Sequence, residues 1–393
     1  MDIKKLTDQY IFNTYKRNPL VISRAKGSWV WDEKGKKYLD FFSGLAVSGI
    51  GHTLPAIVSA IQAQSKKLLH ASNLFYTAPA AHLAEELCKR SFAKKVFLCN
   101  SGAEANEAAI KLARKYGSMD GRYEIIVFEN SFHGRTLGAL AATAQPKFHE
   151  GFGPLPPGFP VAKFNQIDSV ERLISPRTTA ILIEPIQGEG GVRPSTRQFL
   201  SDLRTLADQH GLLLIFDGVQ CSLGRTGDLF SYETYGVRPD VLTLAKGLGG
   251  GMPIAAMLGS EKVAQVLGPG DHGTTFGGNP VCSMAAFAVL KMLSPKVLKN
   301  VKKQGQAVLK DLGPLARYPF VRELRGVGLM IGMELIIPGA PFVEACREKG
   351  LLINCTQGNV LRFLPPLAIS DAERRYAARI LSQVFLQQSK IKR

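Results

Sequence analysis

The apolar run Leu212 to Phe216 stops at Asp217, and a second run, Val241 to Ala245, stops at Lys246. An acid and an amine, each at the end of a buried-strand pattern, are the pair that pyridoxal phosphate chemistry requires. The lysine amine condenses with the cofactor's aldehyde, and the carboxylate keeps the pyridine nitrogen protonated so that the ring accepts electrons. Taken singly, each residue has a plainer explanation, a solvated lysine at a strand end and an aspartate in a turn. Their flanks change the balance. Gly247, Gly249, Gly250 and Gly251 let backbone approach a ligand beside Lys246. Val219 and Gln220 add an apolar surface and an amide just past Asp217.

Other segments have the residue types to complete such a site. Asn100-Ser101-Gly102-Ala103-Glu104 follows a strand pattern and opens a helix whose apolar face includes Ala108, Ala109 and Leu112. Ser101 and Glu104 read as a capping box, leaving the N–H groups of Gly102 and Ala103 for a phosphate. Alone this is a well-capped helix; beside Asp217 and Lys246 it is a phosphate cradle. In Phe132-His133-Gly134-Arg135-Thr136, Phe132 suits one face of a bound ring, with Val219 on the other and His133 beside it. Arg135 suits a carboxylate. Glu189 lies in the glycine-rich stretch Glu184 to Gly191, after a strand, where open α/β sheets bind ligands. Thr274 and Thr275 offer hydroxyls before Phe276-Gly277-Gly278, and Asn279-Pro280 is a good helix start.

The elements that must position these residues follow from patterning. Residues 28–31 and 37–41 flank the turn Asp32 to Gly35 as a small β element. From about 60 to 290, short apolar runs alternate with helical patterns, which predicts a mostly parallel α/β sheet. Its strands fall at 96–98, 125–128, 180–183, 212–216 and 241–244. After 290 the pattern is α+β: a helix opens at Ser294-Pro295, strands fall at 328–335 and 360–363, and a last helix begins at Ser370 with Glu373 as its capping partner. The division expected is an N-terminal segment 1–58, a large cofactor-binding domain 59–290 and a C-terminal part 291–393. The two chain ends together build the small domain, because neither alone is large enough to bury a core.

Composition narrows the class. The chain has 393 residues, 45% hydrophobic and 21% charged, ordinary for a globular enzyme. The formal charge of +17 comes from dispersed basic residues without aromatic interleaving, which argues against a nucleic-acid module. A positive field would instead draw in dicarboxylates. The six cysteines have no close-spaced pair, so neither a metal site nor a disulfide framework is expected. Cys221 is notable for its place beside Asp217. No apolar stretch reaches the roughly 20 residues of a membrane span, and charges fill the N-terminus, so a cytoplasmic protein is expected.

Across nearly its whole length the chain resembles the class III (subgroup II) aminotransferases of fold type I, the acetylornithine aminotransferases in particular. Asn100 to Glu107, Phe132 to Thr136, Glu184 to Gly191, Asp217 to Gly227, Leu244 to Gly251 and Leu361 to Pro366 carry the resemblance. It implies that Lys246 binds pyridoxal 5'-phosphate covalently and shuttles a proton, that Asp217 pairs with the ring nitrogen, and that Gln220 contacts the phenolic oxygen. It implies a ring held between Phe132 and Val219. The phosphate would lie on Gly102 and Ala103, with Thr275 contributed by the other subunit of a homodimer. Arg135 would take the distal carboxylate of glutamate and Arg362 its α-carboxylate, with Glu189 neutralising Arg362 when the other substrate is bound. The implied reaction passes the δ-amino group of N-acetylornithine to 2-oxoglutarate; ornithine, succinylornithine or succinyl-diaminopimelate are alternative donors. A catalytically impaired, cofactor-binding regulatory protein is the alternative of another class.

One departure stands out. Where the family has a second acid and then Val-Gln-Thr-Gly, this chain has Gly218, Val219, Gln220, Cys221 and Ser222. Alternation turns position 218 away from the ring. Restoring the acid is expected to improve activity or cofactor retention if there is room for it, and to lower stability if the space has been refilled. Lys246→Ala is expected to abolish multiple turnover while leaving the circular-dichroism spectrum unchanged; retained turnover without added amine would refute the assignment.

Overall fold

The computed structural model describes residues 2–391. Its centre is a seven-stranded sheet of β1 (Lys95–Cys99), β2 (Glu124–Phe128), β3 (Val161–Ala162), β4 (Thr178–Ile183), β5 (Leu213–Asp217), β6 (Val241–Leu244) and β7 (Ala255–Gly259). The spatial order is β1-β7-β6-β5-β4-β2-β3. All neighbours run parallel except β7, which is antiparallel to both β6 and β1.

The central strands are mostly apolar, as expected where helices cover both faces, with Thr243 and Asp217 as polar interruptions. Along β5, Leu214 and Phe216 pack into a core with Phe199, Leu200 and Leu203 of the helix Arg197–Gln209. Leu213 and Ile215 face the opposite way, into a core with Ala108, Ala109, Leu112 and Ala113 of the helix Gly102–Gly117. Small alanines let that helix lie close to the strands. Asp217 continues the Leu213–Ile215 alternation, so its carboxylate points toward the same helix.

β5 and β6 are paired in parallel with Asp217 opposite Thr243, so Asp217 and Lys246 leave the sheet at the same edge. Lys246 then takes a left-handed φ of 37°, rare for a side-chain-bearing residue, as the chain bends into the glycine-rich turn.

A second, antiparallel sheet has the order β8 (Val321–Val327), β9 (Met330–Leu335), β11 (Val360–Phe363) and β10 (Asn354–Thr356). The chain ends meet in a third sheet. Strands Ile22–Lys26, Trp29–Asp32 and Lys37–Asp40 form an antiparallel meander, and Leu351–Leu352 adds to it in parallel beside Lys37–Asp40. Trp29 Nε1 donates to Glu373 Oε1 at 3.0 Å, tying the N-terminal meander to the helix Asp371–Ile391. That helix opens with the expected box: Ser370 N donates to Glu373 and Glu373 N to Ser370 Oγ. Among the described residues, no single helix is long and apolar enough to cross a membrane.

Three strands carry weak sequence signals. β7 reads Ala-Ala-Met-Leu-Gly, poor in β-formers, and is held in place by ladders on both sides. Ile22–Lys26 and β8 are polar edge strands whose exposure removes the apolar alternation that marks a strand.

Candidate active site

A cleft of about 420 Å³ opens where β5 and β6 end. Its lining brings together Ser101, Gly102, Ala103, Phe132, His133, Arg135, Glu189, Asp217, Val219, Gln220 and Lys246, residues drawn from five separate sequence segments.

Asp217 is buried and its carboxylate is surrounded by donors. Oδ2 accepts from His133 Nδ1 at 2.8 Å and from Asn106 Nδ2 at 2.8 Å, and Oδ1 accepts from Val219 N at 3.0 Å. Asn106 is itself held: its amide also donates to His133 O, and its Oδ1 accepts from the Thr243 hydroxyl at 2.8 Å. His133 therefore belongs to the floor under Asp217, with its Nδ1 turned to the acid and Nε2 buried without a partner among the described residues.

Lys246 is half-buried at the cleft floor. Burial pulls its amine below the ordinary lysine value and Arg362 adds to this, while Asp217 and Glu189 oppose it. A larger neutral fraction makes the amine a better nucleophile and proton acceptor near neutral pH. Glu184 also lines the cleft and accepts from Phe132 N at 2.9 Å and Gly188 N at 3.2 Å. Its carboxyl is pushed up to about 7, chiefly by burial, with His133 lowering it and Asp217 raising it.

Against Val219 and Ala245 the helix Gly102–Gly117 begins. Ser101 Oγ accepts from Glu104 N at 3.2 Å, as the capping pattern requires. The reciprocal bond differs from expectation: the Glu104 carboxylate takes Asn100 N and Asn100 Nδ2 rather than the Ser101 N–H. Gly102 and Ala103 line the cleft, and their N–H groups, in the first helical turn, donate to nothing among the described residues. At Gly102 a Cβ would stand 2.9 Å from Val219, so only glycine permits this approach.

Phe132 and Val219 both line the cleft, and Phe132 is braced edge-on by Phe148 at a centroid distance of 5.9 Å. The exposed Arg135 guanidinium lies 4.0 Å over the Phe148 ring and makes no ion pair among the described residues.

Arg362 lies just behind the cleft on β11. Its Nη1 donates to Glu189 Oε1 at 2.7 Å and to Gln220 Oε1 at 3.1 Å, and Nε to Asn354 Oδ1 at 3.2 Å across the β10–β11 ladder. Nη2 is buried with no partner among the described residues. The guanidinium thus keeps one open donor while paired. Burial works against ionisation of Glu189, but Arg362 outweighs it and holds the carboxyl below its usual value.

Two candidates are not in the cleft of their own chain. Thr274 lies outside it, its hydroxyl accepting from Asn100 Nδ2 at 3.0 Å. Thr275 is exposed, next to the exposed Phe276. Cys221 does not face the cleft either. It packs in the core with its thiol pushed up to about 12 by burial, an inert position.

Asn106, Thr243 and Glu184 complete the site without having been assigned a role from the sequence. The signals were present: an asparagine on an alanine-lined helix face, and a threonine in the middle of a fully buried apolar strand.

The space behind Gly218 is filled. A Cβ there would stand 2.5 Å from Ser222 Oγ, 2.7 Å from Leu242 Cδ1 and 3.0 Å from Thr243 O. Ser222 Oγ is fixed in place by Ser231, bonding its Oγ at 3.0 Å and accepting from its N at 3.1 Å. Glycine at 218 and serine at 222 fit each other, and Ser222 with Leu242 occupies the space.

The cleft contents suit pyridoxal phosphate: an amine, a buried acid, unpaired helix N–H groups and an apolar slot between Phe132 and Val219. Comparison with known proteins points the same way. The family description "Aminotransferase class-III" matches residues 10–385. The acetylornithine aminotransferase of Methanocaldococcus jannaschii is 48% identical over 388 residues, covering 97% of each chain. Among solved structures, the N-acetylornithine aminotransferase of Stenotrophomonas maltophilia K279a is 38% identical with a TM-score of 0.85, covering 98% of this chain and 99% of that one. The ornithine aminotransferase of Toxoplasma gondii, with partial occupancy of PLP at its active site, is 33% identical with a TM-score of 0.95, covering 99% and 95%.

Two measurements follow. Gly218→Glu is expected to lower stability by about 1–3 kcal/mol through overpacking, and the same change to cost less in a Ser222→Gly background; denaturant unfolding of the four proteins checks the coupling. For Glu184, an acid raised in the fold stabilises fully below its unfolded value of 4.5 and loses that contribution as pH rises through about 7. Glu184→Gln in the cofactor-free protein should therefore flatten the fall in unfolding midpoint across that window.

Proposed function

The chain belongs to the class III aminotransferases, and we propose that its reaction moves the δ-amino group of N-acetylornithine to 2-oxoglutarate, yielding N-acetylglutamate 5-semialdehyde and glutamate. This is a step of arginine biosynthesis. The observation that carries the two-substrate reading is the buried Arg362, paired with Glu189 at 2.7 Å yet retaining an open Nη2. Nearly full-length similarity to acetylornithine aminotransferases supports the choice of donor.

Pyridoxal 5'-phosphate would supply an electron-accepting ring and an aldehyde that stores the amino group between the two halves of the reaction. Lys246 would hold it covalently, Asp217 would face its ring nitrogen, Gln220 its phenolic oxygen, and Gly102 and Ala103 its phosphate. Phe132 and Val219 would grip the ring and keep water from its faces. Lys246 would be the base that carries the proton, helped by a desolvated setting that favours its neutral form.

The cleft must accept two substrates of unlike charge. N-Acetylornithine brings one carboxylate and an amine at the far end of its chain; Arg135 would take the carboxylate while Glu189 masks Arg362. Glutamate brings two carboxylates, and its α-carboxylate would displace Glu189 to reach Arg362 Nη1 and Nη2, a bidentate pairing.

The reading includes a cytoplasmic homodimer. Leu69, Leu74, Phe75, Tyr76 and Phe276 form exposed apolar surface on segments tied together by Asn73 and Asn279, next to Thr275. A second copy would cover that surface and bring its own Thr275 to the phosphate. Residues 59–290 would then form the large domain, with 1–58 and 291–393 combining as the small one.

Glu189→Ala should speed the glutamate half-reaction relative to the N-acetylornithine half. Arg362→Ala should cripple the glutamate and 2-oxoglutarate half while largely sparing the other. A desolvated charged hydrogen bond is worth about 1.5–3 kcal/mol, so each ratio should move roughly ten- to a hundredfold. Single-turnover rates decide this, and equal slowing of both halves would make the pair merely structural. A donor panel with ornithine, succinylornithine and succinyl-diaminopimelate should rank N-acetylornithine first in kcat/KM.

A further inference from the structure

The hairpin that carries Arg362 also grips the main chain of its masking residue. Thr356 Oγ1 donates to Glu189 O at 2.6 Å, and Gln357 Nε2 donates to the same oxygen at 2.8 Å. Two residues on, Arg325 fixes the loop again, from Nη2 to Gly191 O at 2.6 Å and from Nε to Val192 O at 2.9 Å. Glu189 is thus held at both ends by the sheet β8–β11, its carboxylate by Arg362 and its carbonyl by Thr356 and Gln357. The carboxylate can leave Arg362 only by side-chain rotation while this clamp holds.

Gln357 is an unexpected residue to find there. It occupies a left-handed conformation, φ 52°, in the tight turn between β10 and β11, followed by Gly358 at φ 78°. Glycine or asparagine takes such a position at little cost, whereas glutamine carries backbone strain. Strain of this kind persists where the surroundings hold the residue in place. Here the side chain is fully engaged: besides Glu189 O, Nε2 reaches Gln145 Oε1 at 3.0 Å, and Oε1 accepts from Lys147 Nζ at 3.4 Å. Gln145 and Lys147 flank Pro146 in the turn that presents Phe148, the ring on which Arg135 rests. One side chain therefore connects the segment under the distal-carboxylate arginine to the backbone of the residue masking the other arginine.

We propose that Gln357 is a specificity-setting positioning residue: by clamping the Glu189 carbonyl it keeps the Glu189 carboxylate on Arg362 and so biases the site toward the amine donor over glutamate. The inference rests on the reading of Glu189 and Arg362 as the substrate switch. Thr356 shares the clamp through its hydroxyl. Loosening either contact frees Glu189 and raises the population with Arg362 exposed.

Gln357→Gly separates this role from a structural one, because glycine adopts the turn without strain. In the cofactor-loaded enzyme the unfolding midpoint should hold or rise. The single-turnover rate with glutamate, relative to that with N-acetylornithine, should increase about two- to tenfold, the worth of one neutral hydrogen bond. Glutarate has both carboxylates and no amine, and it should bind tighter by a similar factor, read from the absorbance of the bound cofactor. Thr356→Val should move both quantities the same way, and Thr356→Ser, which keeps the donor, should leave them at wild-type values. If the ratio and the glutarate affinity stay unchanged in Gln357→Gly while Glu189→Ala moves both, the clamp has no role in specificity and the proposal is overturned. If Glu189→Ala itself moves neither, the switch reading fails and takes this inference with it.

Discussion

Everything in the cleft depends on one buried anion being kept in place. The Asp217 carboxylate sits at the end of a central strand, and it stays there because three donors from three directions converge on it. Asn106 comes from the helix Gly102–Gly117, His133 from the loop after β2, and the Val219 N–H from the chain just beyond the strand. Asn106 is in turn fixed by Thr243 of the neighbouring strand. A desolvated charge is costly unless fully bonded, so these four elements have little freedom to shift independently. The helix that would cradle a phosphate, the loop that would cover a ring and the strand that leads to the lysine all share one register around Asp217.

Around that anchor, charges alternate through and behind the cleft: Lys246 with Asp217 and Glu189, then Arg362 between Glu189 and Gln220, with Arg135 at the mouth. Apart from Arg135, these charges face opposite charges, and small rearrangements of a single carboxylate change what the cleft attracts. The formal charge of +17 acts at longer range, raising the local concentration of dicarboxylates at low ionic strength.

How much of this was legible in the sequence varied with the kind of signal. The parallel strands were visible as apolar runs because both their faces are buried, and the chemistry was visible because Asp217 and Lys246 interrupt such runs at their ends. β7, with alanine and glycine, and the polar edge strands were not, since tertiary pairing rather than local preference forms them. Asn106 and Thr243 escaped notice because their roles exist only once a helix and a strand are packed together. Gly218 showed the opposite limit. The departure was plain in the sequence, but its meaning lay in Ser222, four residues away and held by Ser231, a relation that only the folded geometry reveals. The role proposed for the exposed Thr275 likewise needs a second chain.

The pairing of Leu351–Leu352 with Lys37–Asp40 sets a constraint on biosynthesis. A ribosome adds roughly 5–20 residues per second, so the N-terminal meander waits on the order of 15–60 s for its fourth strand to be made. The seven-stranded sheet, whose last strand ends at Gly259, emerges well before that. During this interval Leu39 and Phe41, both buried in the finished protein, lack their C-terminal neighbours. The nascent chain therefore carries an open strand edge and an unfinished apolar layer through most of its synthesis. It is in this window, rather than in the completed fold, that the chain offers an unpaired edge to wrong pairing.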